Sequence, residues 1–181
     1  MSEFHEELRI VLAGFGGQGL LFAGKVLAYT GLIDDREVSW LPSYGPEMRG
    51  GTANCNVSLS DEAIGSPLVL DPNVLIAMNQ PSLEKFEPMC VPGALLLVDS
   101  SMVPVKVGRT DVEVCYVPAT KLAEDAGLKG LANIVLVGKL FAMKGFCSWD
   151  TLEAAIKKCV PAKKVEMVQK NLDALMLGVS A

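Results

Sequence analysis

Residues 8–20 read Leu-Arg-Ile-Val-Leu-Ala-Gly-Phe-Gly-Gly-Gln-Gly-Leu. An apolar run ends in four clustered glycines, and a helical apolar pattern follows at Leu20, Leu21, Ala23, Val26 and Leu27. That order is a buried strand, a tight turn and a helix, and it predicts an α/β chain. A helix start without bulky side chains presents free backbone N–H groups and the positive end of its dipole. Such a start accepts a phosphate or a carboxylate. Gly14, Gly16 and Gly19 match the G-x-G-x-x-G spacing of dinucleotide-binding turns. Gly17 adds a fourth glycine, and Gln18 an amide that both donates and accepts.

A nicotinamide dinucleotide makes a second demand, an acidic residue at the end of the second strand. The second strand signal, 37–41, ends in Pro42-Ser43-Tyr44, and Asp34, Asp35 and Glu37 stand at its opposite end. The spacing suits NAD and the second strand does not. Glycines that only let helix and sheet pack closely are the alternative.

Strand and helix signals alternate along the chain. Strands are expected at 9–13, 37–41, 54–59, 74–78, 94–98 and 112–117. Helices are expected at 17–30, closed by Gly31, and at 81–89, 118–126 and 133–143, with Asn133 as the N-cap of the last. Ser148 is placed to cap the next helix, and Pro161 to open the final one. Residues 54–59 alternate polar and apolar, the pattern of a half-buried strand at a sheet edge. The fold class expected is α/β, a Rossmann-like three-layer sandwich with a mostly parallel sheet and a helical C-terminal region. The whole chain, 1–181, reads as one domain.

Half of the residues are hydrophobic, 20% are charged, and the formal net charge is −5. No basic stripe speaks for nucleic acid. No apolar run reaches the ~18 residues of a membrane span. An acidic start without an apolar stretch leads to an expected cytoplasmic location. The five cysteines, Cys55, Cys90, Cys115, Cys147 and Cys159, form no C-x-x-C. They read as buried thiols rather than metal ligands. His5 is the single histidine, so a Ser-His-Asp or Cys-His pair is not expected.

A second motif follows the second strand. Residues 43–54 read Ser-Tyr-Gly-Pro-Glu-Met-Arg-Gly-Gly-Thr-Ala-Asn, a shaped loop carrying Glu47, Arg49 and the Tyr44 ring. It is expected at the carboxyl edge of the sheet beside the glycine turn, where open α/β sheets bind ligands. Asn79 and Gln80 end the next strand and belong either to the same rim or to a structural turn. Arg49 suits a bidentate pair with a phosphate or carboxylate, or a salt bridge to Glu47.

Together, the turn at 14–19 and the loop at 43–51 resemble the gamma subunit of 2-oxoacid:ferredoxin oxidoreductases. The similarity extends through Gly65-Ser-Pro67 and Asn79-Gln-Pro-Ser82. The resemblance implies oxidative decarboxylation of a 2-oxoacid to an acyl-coenzyme A with reduction of ferredoxin. It implies thiamine diphosphate, magnesium and iron–sulfur clusters on partner subunits, and no catalytic residue on this chain. The partners implied are alpha, beta and delta (ferredoxin-like) subunits and ferredoxin, without nucleic acid or membrane. The positions expected to contact coenzyme A are Gly14, Gly16, Gly17, Gln18, Gly19, Ser43, Tyr44, Arg49 and Asn79. The motifs lean towards 2-oxoglutarate or branched-chain oxoacids. A stand-alone dinucleotide- or flavin-binding protein and a purely structural interaction module stay open as alternatives.

Overall fold

A computed structural model describes residues 6–43 and 53–181. Its six strands are β1 (Leu8–Gly14), β2 (Glu37–Ser43), β3 (Ala53–Ser60), β4 (Val74–Ala77), β5 (Leu95–Asp99) and β6 (Glu113–Val117). They form one sheet in the order β2-β3-β1-β4-β5-β6. The pairs β1–β4, β4–β5 and β5–β6 are parallel, while β3 pairs antiparallel with both β1 and β2. The helices are α1 (Leu20–Ile33), α2 (Gln80–Phe86), α3 (Ala119–Asp125), α4 (Ala132–Lys144), α5 (Trp149–Cys159) and α6 (Glu166–Ser180).

The central strands are continuous apolar runs because both of their faces are covered. On one face Ile10, Leu12, Ile76 and Leu97 meet α1, α4, α5 and α6. On the other, Val11, Leu75, Leu96 and Val98 meet Leu83 and Phe86 of α2, together with Val69 and Val103. These faces give the mostly parallel α/β sheet that the sequence predicts.

Five local expectations need correction. Pro161 does not open the final helix: it precedes a 3-10 turn, Ala162–Lys164, and α6 begins at Glu166. Residues 54–59 do not lie at an edge: β3 sits between β2 and β1, and β2 and β6 are the edges. The polar side of β3 is buried because the segment after it lies over it. The Asn56 carboxamide oxygen accepts the Val69 N–H at 3.1 Å, and the Ser60 hydroxyl accepts the Glu62 N–H at 3.0 Å. Gly31 does not stop α1, which runs on to Ile33 with Asp34 as its C-cap. A Cβ at Gly31 would stand 2.6 Å from Val38 and 2.7 Å from Leu59, so the glycine lets α1 lie close on β2 and β3. The first helix begins at Leu20 rather than at 17. Asn133 is the second residue of α4, whose N-cap is Leu131. Ser148 does cap α5, accepting the Thr151 N–H at 3.1 Å.

α4 is buried nearly all round, as a helix without a polar face must be. It lies between the sheet and α6. The two helices cross at reciprocal glycines: a Cβ on Gly138 would collide with the Leu175 carbonyl, and one on Gly178 with the Val135 carbonyl. Backbone obstructs both, so neither contact relaxes by a side-chain rotation. Gly178→Ala is expected to lose about 1–3 kcal/mol by overpacking. Gly65→Ala, where a Cβ meets nothing within 4 Å, should stay within about 0.5 kcal/mol of the parent. Urea unfolding of the two variants checks this, and equal midpoints would contradict the crossing as described.

Candidate functional site

The chain leaves β1 towards α1 on one face of the sheet and leaves β4 towards α2 on the other. β1 and β4 are neighbours, so their carboxyl ends frame the crevice of a topological switch point. Gly14–Gly19 forms the wall of that crevice. Gly17 and Gly19 take positive φ angles of 89° and 73°, which side chains disfavour. Gly19 is the N-cap of α1 and supplies no side-chain bond to its first turn. The start of α1 therefore faces outward as bare backbone.

Gln18 spans the crevice. Its side-chain oxygen accepts the Phe15 N–H at 2.6 Å, and its side-chain nitrogen donates to the Met78 carbonyl at 3.0 Å. The side chain folds back over Gly14, where any Cβ would collide with it. The amide expected to meet a ligand thus makes two bonds inside the chain, and its evident work is to position the turn. Asn133 holds the other end, donating from Nδ2 to the Gly19 carbonyl at 2.8 Å.

A cavity opens on each side of the turn. One, of about 220 Å³, is lined by Gly17, Gln18, Met78, Met102, Thr120 and Lys129. The other, of about 280 Å³, is lined by Gly19, Phe22, Asn133, Pro161, Lys164 and Asn171, among others. Asn133 and Asn171 are 3% and 2% exposed. Asn171 donates from Nδ2 to the Met167 carbonyl at 2.7 Å, as Asn133 does to Gly19, so both amide orientations are set. Their oxygens accept nothing. A buried acceptor without a partner costs about 1–3 kcal/mol. Both oxygens are closed off from solvent, so that cost is carried inside the packing around α4 and α6.

The other expected residues divide. Ser43 ends β2, exposed, opposite Asn54, at the same sheet edge as Gly14. Since β3 intervenes, the two stand two strand spacings apart, roughly 10 Å. Asn79 is buried and caps α2, its oxygen accepting the Ser82 N–H at 2.8 Å, which is the structural turn role. Tyr44 and Arg49 lie outside the described residues. The strand that a nicotinamide site needs beside β1 is replaced by antiparallel β3, and Asp34 is engaged with the Thr151 hydroxyl at 2.8 Å.

Sequence reasoning missed Asn171, Lys129, Lys164 and Asp99. Asn171 interrupts the apolar stripe of Val168, Leu172 and Leu175, a signal that was available. Asp99 is fully buried at the end of β5 and accepts the Ser101 and Thr120 N–H groups at 3.1 and 3.3 Å and the Thr120 hydroxyl at 2.6 Å. It ties the β5 end to the first turn of α3.

Burial pushes the Cys55, Cys90 and Cys159 thiols up to about 11 and Cys147 to about 12. Among the described residues no group of three His, Cys, Asp or Glu side chains is arranged to hold a metal, and no helix is long and apolar enough to cross a membrane.

A profile of the pyruvate ferredoxin/flavodoxin oxidoreductase family matches residues 9–181. The chain belongs to that family. It is 40% identical over 174 residues to the ketoisovalerate oxidoreductase subunit VorA of Methanothermobacter thermautotrophicus, matching 95% of this chain but only 36% of that protein. It is 36% identical over 179 residues to the 2-oxoglutarate synthase subunit KorC of Methanocaldococcus jannaschii, matching 97% of this chain and 93% of the other. The crystal structure of a keto/oxoacid ferredoxin oxidoreductase gamma subunit from Geobacter sulfurreducens superposes with a TM-score of 0.80 at 30% identity over 96% of each chain. The chain therefore spans about a third of the first relative and nearly all of the other two.

Gln18→Ala removes both crevice bonds and is expected to cost about 1–3 kcal/mol. Gln18→Glu keeps the acceptor for Phe15 but sets a carboxylate against the Met78 carbonyl, so at neutral pH it should be the less stable of the two and recover on acidification. Denaturant midpoints at two pH values test the order.

The thiols make a second prediction. Unfolded thiols ionise near 9.0 and three of the buried ones near 11. A raised folded value gives stability that is intact below pH 9.0 and lost as the pH climbs towards 11. Melting temperatures on either side of pH 9.0 should fall on the alkaline side, and Cys147→Ala should flatten part of the fall.

Proposed function

We propose that this chain is the gamma-type subunit of a 2-oxoacid:ferredoxin oxidoreductase, and that its glycine turn borders the acyl-transfer site and contacts coenzyme A. The turn lies at the carboxyl edge of the sheet, where α1 offers backbone N–H groups to an anion. Lys129 and Lys164 line the two cavities beside it and suit phosphates. The observation that carries the reading is the uncapped start of α1 at the switch point, with Lys129 and Lys164 lining the cavities on either side of it. Coenzyme A brings anionic phosphates to such a site, on a long and partly apolar arm.

In this reading the carbon chemistry belongs to thiamine diphosphate and magnesium, and electron transfer to iron–sulfur clusters, all on alpha, beta and delta partner chains. Ferredoxin is the acceptor. This chain binds, orients and excludes water. Ser43 ends β2 at the same sheet edge, Tyr44 and Arg49 follow it in sequence, and Arg49 is assigned to pair with a phosphate or carboxylate. Gly14, Gly16, Gly17 and Gly19 shape the turn, and Gln18 and Asn79 hold its neighbours in place. The substrate class is a 2-oxoacid, and the names of the relatives, ketoisovalerate oxidoreductase and 2-oxoglutarate synthase, are a reason to assay branched-chain oxoacids and 2-oxoglutarate first.

Lys164→Ala tests the binding role. Lys164 is exposed, so the unliganded chain should keep the stability of the parent. In the assembled enzyme it should raise the KM for coenzyme A about tenfold, the value of one lost contact of ~1.4 kcal/mol, with little change for the oxoacid. Arg49→Ala should move the same constant. Unchanged KM values for coenzyme A and the oxoacid in both variants would reject the coenzyme A contact.

A further inference from the structure

α5 ends in Lys157 and Lys158, and the chain passes through Val160 and Pro161 into a short 3-10 turn, Ala162–Lys164. A groove of about 710 Å³ runs along this corner, with Lys25 of α1 on its far wall. Its floor is apolar: Cys159, Val160, Pro161 and Val168 line it, and Val165 at its rim is 67% exposed. Lys163 and Lys164 follow in the 3-10 turn, and Lys164 lines the turn-side cavity.

The charge here runs against that of the chain. The net charge is −5, yet three lysines, Lys25, Lys157 and Lys158, line one groove. Of these three, Lys157 alone has an acidic partner among the described residues, Glu153 at 2.5 Å. The negative end of the α5 dipole offsets part of the charge on Lys157 and Lys158. It does nothing for Lys25, which sits on a different helix and lies 5.7 Å from the Tyr29 ring centroid. A small anion would satisfy the rim and leave the apolar floor wet. A strongly acidic nucleic acid would be repelled by the rest of the surface. An occupant that satisfies both features carries carboxylates on one side and apolar side chains on the other.

We infer that this groove docks an acidic amphipathic segment of another subunit. The inference rests on the proposed membership of a multi-subunit enzyme, and it assigns a face and a partner chemistry that the glycine turn does not. Val160 and Pro161 also line the cavity that holds Asn133 and Asn171. A docked segment therefore completes the outer wall of the turn-side cavity, and docking and ligand binding share a boundary.

Amine labelling combined with carbodiimide cross-linking tests the inference on the assembled enzyme and on the isolated chain. The expected result is several-fold slower acetylation of Lys25, Lys157 and Lys158 in the assembly. Zero-length cross-links should join these lysines to Asp or Glu of another subunit identified by mass spectrometry. Raising salt from about 0.1 M to about 1 M shortens the Debye length from about 10 Å to about 3 Å and should reduce both effects. The double variant Lys157→Glu/Lys158→Glu, with both side chains exposed, should fold normally, abolish the cross-links and weaken assembly. If the chain assembles but these lysines react as fast as in the free chain, the groove inference is overturned and the subunit reading stands. Cross-links that reach only this chain's own acids overturn it equally. A chain that elutes alone overturns both.

Discussion

The two hydrogen bonds of the Gln18 side chain hold the functional edge together. β1 and β4 are parallel neighbours whose chains depart to opposite faces, so their carboxyl ends separate. Backbone groups at such a split have no strand partner, and leaving them unpaired near the core is costly. Gln18 connects Phe15 on one side to Met78 on the other. The same bonds fold the side chain over Gly14, where a Cβ would collide with it. The backbone left open at the turn is the start of α1, with a cavity on each side. The substitution of an amide staple for an open cradle is what separates this turn from the nicotinamide fingerprint it matches in spacing.

Features encoded within a few residues were legible in the sequence. The strand-turn-helix at 8–20 is legible because glycines and apolar period coincide there. The Ser148 cap is legible because the cap and the N–H it serves are three residues apart. Features set by distant neighbours were not. Alternation in 54–59 shows which side chains of β3 are polar, but not that Val69 lies over them. Gly31 looks like a helix stop until Val38 and Leu59 are in place beneath it. Asn133 looks like a cap, and its side chain instead reaches a carbonyl 114 positions away. No local period encodes such a pairing. The fold class was therefore readable from the first twenty residues, while the polar half of the site was not.

That polar half stands on helices rather than loops. Asn133 projects from α4 and Asn171 from α6, and the separation of these two helices is fixed where Gly138 and Gly178 bring backbone against backbone. A crossing of that closeness has one geometry, because carbonyls bound it on both sides. The two oxygens are thereby held in one place inside the packing. Their own cost, about 1–3 kcal/mol each while unpaired, is a large fraction of the 5–15 kcal/mol typical of a folded domain. Leu at position 171, in line with the apolar stripe around it, would relieve that cost. The polar residue is instead a local violation of core chemistry beside a bare helix start, and such violations are expected at functional or strained positions.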